Sequence, residues 1–477
     1  MKRRSSELRA VFDELDRAHL RRQRRTIDSF VEAGSRVTAV VDGRQLVDFS
    51  SNDYLGLARH PAVAAAMSEC AERCGSGSGA SHLVTGHAAE HTRLEEELAA
   101  FTGRERALLF STGYMANLAV MTTLADRSET VLLDRLSHAS LIDGGLLSGA
   151  RFKRFAHADA GAAEAAMTDT TSVLATDGVF SMDGDMGPLA DLARTAKAHD
   201  AWLVVDDAHG LGVIGANGRG AVEHFGLDAD AVPVLVGTLG KAFGSFGAFV
   251  AGSAELIELL MQKARSYIYT TALPQPVAAA SRKALEIAQR ETWRRERVLA
   301  LAAHFRQSAE HAGIPLLEAP PARTPGHATP AADCAPSASG GAVSQRTAAV
   351  NVGVRDSLSQ VGGPHPASAH AASAHAASAH AASAHAATSR AAACDARAAL
   401  QPLTPIQPVL LGNSEAALGA QRDLLAAGFC VVAIRPPTVP QGSARLRVTL
   451  SAAHTEAQVD ELVETLSRVC AARNVVS

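Results

Sequence analysis

Residues 202–210 read Trp-Leu-Val-Val-Asp-Asp-Ala-His-Gly, an apolar run that ends directly in two carboxylates and an imidazole. A second apolar run, Val234-Leu-Val-Gly-Thr-Leu-Gly-Lys-Ala-Phe-Gly244, ends in Lys241 among glycines. Both have the length and the aliphatic content of buried strands, and both carry their polar residues at the carboxyl end. Because ligands of open α/β sheets bind at these strand ends, the two segments together predict a site there.

The sequence around these segments repeats their pattern. Between about residues 51 and 290, short apolar runs alternate with Ala-rich stretches of helical length. The alternation predicts an α/β fold with a mostly parallel central sheet and helices on both faces, forming a large ligand-binding domain. The predicted strands are Ala107–Phe110, Thr130–Leu133, Ser172–Ala175, Ala201–Val205, Val232–Val236 and Ala248–Ala251.

The two flanking regions are predicted to be separate units. Residues 1–50 should form an amphipathic helical arm over 5–25 and a strand pair within 37–49, turned at Asp42-Gly43. Residues 291–477 should form a smaller C-terminal α+β domain, interrupted by a low-complexity insertion at about 318–399. Its predicted strands are Ile406–Leu411, Phe429–Ile434 and Ala444–Leu450, and its predicted helices are Ser414–Ala427 and Thr455–Ala472.

The insertion is built on the repeat Ser-Ala-His-Ala-Ala, which spaces His370, His375, His380 and His385 five residues apart. Five residues advance an α-helix by about 140° past a full turn, so these imidazoles would not share one face. We therefore favour a solvated, unstructured insertion over the alternative of a metal-binding tract.

Composition excludes several classes of protein. Lys and Arg number 45 against 49 Asp and Glu, so we expect no polycationic surface for nucleic acid or for an anionic membrane. The sequence contains no run of 18 apolar residues, and its basic start continues into charged sequence and not into a signal peptide. The six cysteines show neither CxxC nor paired metal spacing, a pattern typical of reduced thiols in the cytoplasm.

The lysine segment points to covalent chemistry. Lys241 follows a buried strand, so partial desolvation would make its amine nucleophilic enough to form a Schiff base. A phosphate-binding P-loop would need Gly at 235 and a hydroxyl residue after the lysine, where Leu235 and Ala242 stand. A Ser-x-x-Lys hydrolase would need serine in place of Thr238.

Two further strand ends carry suitable groups. Residues 110–117, Phe-Ser-Thr-Gly-Tyr-Met-Ala-Asn, join a strand to a helix start, where free amides can seat a phosphate or merely cap the helix. His138 follows the next strand. A phosphate seat, a nucleophilic lysine, a strand-end carboxylate and flanking imidazoles are together what pyridoxal phosphate needs from a protein.

Five ordered motifs resemble those of the α-oxoamine synthases: Ser50–Leu57, Asp134–Ser140, Gly178–Asp185, Val205–Gly210 and Thr238–Ala242. The resemblance covers nearly the whole chain except the insertion. It implies the aspartate-aminotransferase fold, which is fold type I of the pyridoxal-phosphate enzymes. It also implies an acyltransferase that joins an amino acid to an acyl thioester with loss of carbon dioxide.

Within the family, segments 433–440 and 445–454 most resemble the member that uses L-alanine and a pimeloyl thioester, on acyl carrier protein or CoA, to begin the biotin rings. The run Arg435-Pro-Pro-Thr438 separates that member from sister synthases, such as 2-amino-3-ketobutyrate CoA ligase, that use glycine or serine. The sister synthases are the alternative hypothesis. A third is a non-catalytic metal-binding or scaffold protein that uses the histidine repeat.

The resemblance also assigns roles. Lys241 would hold the cofactor and later move the amino acid's α-proton, Asp206 would pair with the ring nitrogen, and His209 would contact the ring hydroxyl. His138 would stack on the ring and meet the substrate carbonyl. The other cofactor positions would be Gly113, Tyr114, Ser181, Thr238, Thr270 and Thr271. The last two lie in a segment that reaches a neighbouring subunit's phosphate, which implies a homodimer with shared sites. Substrate contacts would come from Arg447, Thr438, Arg435, Asn52 and either Arg21 or Arg22.

Overall fold

The computed structural model describes residues 2–31, 37–317 and 403–473. The insertion expected at 318–399, with its histidine repeat, lies outside the described residues.

The N-terminal region forms one helix and a small set of strands. Helix α1 spans Lys2–Arg17 and ends well before residue 25, so the predicted helix is too long. The helix ends because His19 turns to a left-handed φ of 55°, and Leu20 N then donates back to Leu15 O. The strands are β1 (Ser29–Phe30), β2 (Thr38–Val41) and β3 (Arg44–Asp48). Asp42 and Gly43 both have positive φ, which confirms the predicted tight turn.

A seven-stranded sheet forms the centre of the molecule, in the order β4-β10-β9-β8-β7-β5-β6. Strand β10 is antiparallel to both of its neighbours, and the other pairs are parallel. The mostly parallel sheet and the six predicted strands within it are thus confirmed. The strands are β4 (Arg106–Phe110), β5 (Thr130–Asp134), β6 (Arg151–Phe155), β7 (Thr171–Asp177), β8 (Trp202–Asp206), β9 (Val234–Thr238) and β10 (Ala248–Gly252).

Both faces of this sheet are buried, which explains why its strands are continuous apolar runs. In β8, Leu203 and Val205 belong to one buried hydrophobic cluster, whereas Val204 belongs to another. Helices cover these faces and connect the strands. They are α2 (Pro61–Cys74), α3 (Ala89–Thr102), α4 (Gly113–Leu124), α5 (Ala139–Ser148), α6 (Ala160–Ala166), α7 (Leu189–Ala198), α8 (Ala221–His224), α9 (Ala254–Lys263), α10 (Arg265–Ile268), α11 (Gln275–Arg290) and α12 (Trp293–His311), with a π-helical turn at His82–Gly86.

The C-terminal residues form β11 (Ile406–Gly412), β12 (Phe429–Cys430), β13 (Val432–Ile434) and β14 (Ala444–Thr449), with helices α13 (Ser414–Ala426) and α14 (Glu456–Ala471). The single strand predicted at Phe429–Ile434 is wrong, because the segment is divided between two sheets. Strand β12 pairs with β3, whereas β13 pairs with β14, which also pairs with β11.

The segments that flank the undescribed stretch lie side by side. Leu316 forms a bridge with Val409, and Leu317 N donates to Pro408 O at 3.1 Å. The last described residues before the stretch therefore pair with β11, which begins a few residues after it. No helix among the described residues is long and apolar enough to cross a membrane.

Candidate active site

Two carboxylates stand next to each other where β7 and β8 end, because Asp177 pairs in register with Asp206. Asp206 accepts hydrogen bonds from Asn117 Nδ2 at 2.6 Å and from Ala208 N at 3.1 Å. Burial, and then the neighbouring Asp206, raise the pKa of Asp177 well above its ordinary value. The strand ends therefore bring two carboxyl groups together at the carboxyl edge of the sheet, where burial and mutual repulsion favour a proton on Asp177.

The next residue, Asp207, is held elsewhere. Its Oδ2 accepts from Ala221 N at 2.7 Å, and a Cβ at Gly220 would lie 1.8 Å from that oxygen. Gly220 has a φ of 89°, so glycine is required there for both conformation and space. Asp207 is thus enclosed by the turn before α8, and Asp206 is the carboxylate left to face the site.

Lys241 lies in the turn between β9 and β10, where its carbonyl accepts from Gly244 N at 2.8 Å. Gly244 has a φ of 60°, and a Cβ there would lie 2.2 Å from Ala58 N. This close approach fixes the turn that carries the lysine. Burial lowers the pKa of Lys241 to about 8, although Asp206 and Asp177 oppose the shift. A substantial fraction of the amine is therefore neutral, and so nucleophilic, near physiological pH.

Burial and the charge of Lys241 both lower the pKa of the two predicted histidines. His209 is buried, and its Nδ1 is 2.7 Å from the hydroxyl of Tyr54. Burial, followed by the charges of Lys241 and Arg447, lowers the pKa of His209 well below its ordinary value. His138 precedes α5, and its Nδ1 is 2.7 Å from Ser140 Oγ. Partial desolvation also lowers the pKa of His138, so both imidazoles are neutral at pH 7.

Arg447 connects three parts of the chain. Its Nη1 donates to Asn52 Oδ1 at 3.0 Å, and its Nε donates to the carbonyl of Ser181 at 2.5 Å. Its Nη2 lies 3.4 Å from the hydroxyl of Tyr54. The guanidinium is buried and fixed in orientation, a geometry suited to a planar anion such as a carboxylate.

The start of α4 provides a second anion-binding feature. Thr112 caps the helix by accepting from Met115 N, so the amides of Gly113 and Tyr114 belong to the first turn, where intrahelical acceptors are absent. A Cβ at Gly113 would lie 2.8 Å from Thr238 Cγ2, so only glycine allows β9 to approach so closely. The hydroxyl of Tyr114 donates to Asp143. Backbone amides, the helix dipole and the Thr238 hydroxyl are appropriate for a phosphate.

The remaining predicted residues are not joined to the lysine by any described contact. Arg21, Arg22, Arg435 and Thr438 line a separate cavity of about 630 Å³ between residues 15–25 and 418–438. Burial, and then the charge of Arg22, lower the pKa of Arg435. Thr271 pairs with Ser81 in an isolated bridge, and Tyr269, just before Thr270, is 71 % exposed.

Tyr54, Asn117 and Asp177 contact the predicted residues and are among those that sequence reasoning missed. Asp177 could have been found, since it ends an apolar run just as Asp206 does. Tyr54 and Asn117 lie inside motifs quoted above, but nothing in their spacing indicates what they contact.

These residues fit pyridoxal phosphate. Lys241 supplies an amine of lowered pKa, Asp206 a buried carboxylate fixed by Asn117, and Gly113 the close approach at a helix start. Fold and site together define a pyridoxal-phosphate-dependent enzyme. Residues 44–323 and 346–466 match the family of class I and II aminotransferases.

Similar proteins define the family more narrowly. The chain is 49% identical over 440 residues to 8-amino-7-oxononanoate synthase of Methylococcus capsulatus, covering 92% of each chain. It is 47% identical over 463 residues to the enzyme of the same name from Pseudomonas putida, covering 97% of this chain and 96% of that one. The chain belongs to the 8-amino-7-oxononanoate synthase family.

Solved structures agree on the fold. Serine palmitoyltransferase from S. paucimobilis, solved with a pyridoxal-phosphate–myriocin adduct, superposes with a TM-score of 0.76 at 26% identity, covering 98% of both chains. The 8-amino-7-oxononanoate synthase of Francisella tularensis gives a TM-score of 0.64 at 26% identity, covering 89% of this chain and 97% of that one. The resemblance and the fold expected from the sequence are confirmed.

Proposed function

We propose that this enzyme condenses L-alanine with a pimeloyl thioester, releasing carbon dioxide and the free thiol, to form 8-amino-7-oxononanoate in biotin biosynthesis. The observation that carries the proposal is the grouping of Asp206 and Arg447 around Lys241, because the charges of both residues affect the pKa of that buried lysine. An amine nucleophile, an acid for a ring nitrogen and a carboxylate-binding fork are what this reaction requires.

Bound pyridoxal phosphate supplies an electron sink that stabilises negative charge at the α-carbon of the amino acid. Lys241 would hold the cofactor and, once free, take the α-proton, because an amine with a pKa of about 8 can accept a proton near neutral pH. Asp206 would keep a proton on the ring nitrogen, and the bond from Asn117 fixes its carboxylate for that task.

Arg447 would hold the carboxylate of L-alanine. Its contacts with Asn52 and with the Ser181 carbonyl fix the guanidinium before the substrate arrives, so little rotamer entropy is lost on binding. A fixed carboxylate would in turn orient the α-carbon, so that the bond to be broken is presented to the groups that act on it.

The two neutral imidazoles would have different tasks. His209, oriented by Tyr54, would contact the ring hydroxyl. His138 would pack on the ring face and offer a hydrogen bond to the thioester carbonyl as negative charge develops on its oxygen. Ser181 and Thr238, with the amides of Gly113 and Tyr114, would hold the phosphate.

The acyl substrate would use the separate cavity. Arg435, Thr438 and Arg21 or Arg22 line it, and its positive charge suits the phosphate-bearing carrier of the thioester, acyl carrier protein or CoA. We also propose a cytoplasmic homodimer in which Thr270 and Thr271 complete the phosphate site of the neighbouring subunit. The exposure of Tyr269 and the free thiols of Cys70, Cys74, Cys430 and Cys470 are consistent with this arrangement.

The shared-site proposal has its own test. Lys241→Ala and a Thr270→Ala/Thr271→Ala double variant should each be nearly inactive. The two variants are then mixed, unfolded and refolded together. In a dimer with one subunit of each variant, one of the two sites combines an intact Lys241 with intact Thr270 and Thr271. The mixture should therefore regain up to about a quarter of the activity of the unmodified enzyme. Absence of any recovery in mixed dimers would contradict it.

The decisive experiment is a titration of the cofactor-loaded enzyme, followed by visible absorbance, with L-alanine, glycine and L-serine. Pimeloyl thioester is then added, and the product is identified by mass spectrometry. An alanine-selective change and a product of the mass of 8-amino-7-oxononanoate support the proposal. A glycine- or serine-selective response would assign the enzyme to a sister synthase, and Lys241→Ala is the negative control.

A further inference from the structure

His157 lies between two carboxylates and is not one of the residues described around Lys241. Its Nδ1 is 3.0 Å from Asp134 Oδ1 and its Nε2 is 2.8 Å from Asp185 Oδ2. An ionised carboxylate only accepts hydrogen bonds, so both ring nitrogens must donate, and the ring is an imidazolium. Burial alone would lower the pKa of His157, but these two bonds raise it to about 10.

The surroundings keep this cation in place. Asp134 is fully buried at the end of β5, and its Oδ2 also accepts from Ala158 N at 2.8 Å. Ala158 has a φ of 49°, a conformation that this bond to Asp134 helps to hold. The His157 ring meets Phe180 edge-on, with ring centroids 4.4 Å apart.

Asp185 and Phe180 bound the segment 180–185, which carries Ser181. Phe180 N donates to Asp185 O, and Gly184 N donates to Phe180 O, each at 2.9 Å. The segment is therefore a closed turn. His157 contacts it on one side through Asp185 and Phe180.

Residues from the C-terminal part hold the other side of the same turn. Arg445 forms an ion pair with Asp183, and Thr404 Oγ1 donates to Gly184 O at 2.7 Å. Arg447 Nε donates to the Ser181 carbonyl. The turn thus links the His157 cation to the guanidinium of Arg447.

We propose that His157 is a positioning residue for the reaction, which as a fixed imidazolium holds the 180–185 turn so that the Ser181 carbonyl orients Arg447 for the amino-acid carboxylate. The inference rests on the proposed function, because it acts through Arg447. The charged groups that face His157 are Asp134, Asp185 and Asp183. A carboxylate oxygen of Asp183 lies within 4.8 Å of a ring nitrogen of His157. Arg445 neutralises Asp183. Without the imidazolium, Asp134 and Asp185 face each other with no cation between them, and their repulsion displaces the turn.

The test measures the dissociation constant of L-alanine by the change in cofactor absorbance, with no thioester present. In the full-length, cofactor-loaded His157→Gln enzyme it should rise about fivefold to tenfold, while kcat at saturating alanine and cofactor content change less than about twofold. His157→Arg, which keeps a cation, should recover part of the affinity. His199→Gln is the matched control, since His199 also pairs with a carboxylate, Glu164, at 3.1 Å on an exposed surface.

A purely structural role would reduce cofactor content and kcat but leave the alanine affinity of the folded fraction unchanged. That outcome would overturn the inference. If His157→Gln does not fold, Asp185→Ala carries the test, because it removes the acceptor of the Nε2 bond and keeps His157 paired with Asp134. An unchanged affinity for alanine in that variant would also overturn the inference. Failure of the unmodified enzyme to respond to alanine would instead reject the proposed function.

Discussion

Asp206 and Asp207 are consecutive, yet different helices hold them: Asp206 accepts from Asn117 of α4, and Asp207 from Ala221 of α8. The two helices pack in different hydrophobic clusters, one containing Ala116 and the other Ala221. Side chains alternate along a strand, so neighbouring residues at its end are directed to different layers. The alternation decides which carboxylate serves the cofactor.

The first prediction compares these two residues. Asp206→Asn should lower kcat by at least about 100-fold with little change in melting temperature, because it removes the acid that holds a proton on the ring nitrogen. Asp207→Ala should lower the free energy of unfolding by about 1–3 kcal/mol, because it leaves Ala221 N unpaired. Its kcat per bound cofactor should stay within about threefold. Thermal unfolding and turnover of both variants check this, and a reversed pattern would mean that Asp207 is the site residue.

The second prediction concerns the pH at which Lys241 becomes reactive. The rate of cofactor incorporation into apoenzyme should rise with pH with a midpoint near 8, because only the neutral amine attacks the aldehyde. Asp206→Asn should move the midpoint lower, since Asp206 stabilises the charged amine. Stopped-flow absorbance measures the rate, with exposed Lys263→Ala as the control. A midpoint above about 10, as for a solvated lysine, would refute the desolvated environment.

Strand ends could be read from the sequence because apolar runs mark buried strands, and polar residues follow them directly. Strand β6 was missed because three of the five residues in Arg151-Phe-Lys-Arg-Phe155 are charged, as is typical of an edge strand. The site contacts were harder to predict. Arg447 meets Asn52 and Tyr54 across nearly 400 residues of chain, and local spacing carries no information about such pairs.

The division into 1–50, 51–290 and 291–477 stays a prediction. Strand β12 pairs in parallel with β3, so residues 429–430 and 44–48 share one sheet. A sequence pattern can indicate that a strand exists, but it does not indicate which distant strand will accept its hydrogen bonds.

The third prediction tests the support of Arg447. Arg447→Lys should raise KM for L-alanine by about tenfold or more, because an ammonium cannot hold a carboxylate with two parallel bonds. Asn52→Ala should raise it about threefold through the lost bond at 3.0 Å. The double variant should resemble Arg447→Lys alone, with Arg194→Lys as a surface control, since the Arg194 side chain is 68% exposed. Strictly multiplicative effects would show that Asn52 acts independently of Arg447.

The fourth prediction follows from the raised pKa of His157. A folded pKa of about 10, above an unfolded value of 6.5, means that its stabilisation is complete below about pH 6.5. The contribution is then lost as pH rises and is gone beyond about pH 10. Urea unfolding at pH 6, 8 and 10.5 should therefore show a stability difference between the unmodified protein and His157→Gln that shrinks at each step. A difference that is constant with pH would contradict the imidazolium assignment.

The fifth prediction is that removing residues 364–390 leaves kcat unchanged and shifts stability by only a few tenths of a kcal/mol. Leu316 and Leu317 pair directly with Val409 and Pro408, so the anchors of the excised stretch stay together whatever its length. Closure entropy varies only with the logarithm of loop length, so shortening it changes the free energy little.

Steady-state turnover and thermal unfolding of the deletion variant check this. A full-length variant with His370, His375, His380 and His385 replaced by Gln serves as the control, because it separates loss of the imidazoles from shortening of the chain. Loss of turnover in both variants, with cofactor binding intact, would give the repeat a role in the reaction and revive the metal-binding hypothesis. Loss in the deletion alone would show instead that the length of the connection matters, since the four imidazoles would then be dispensable.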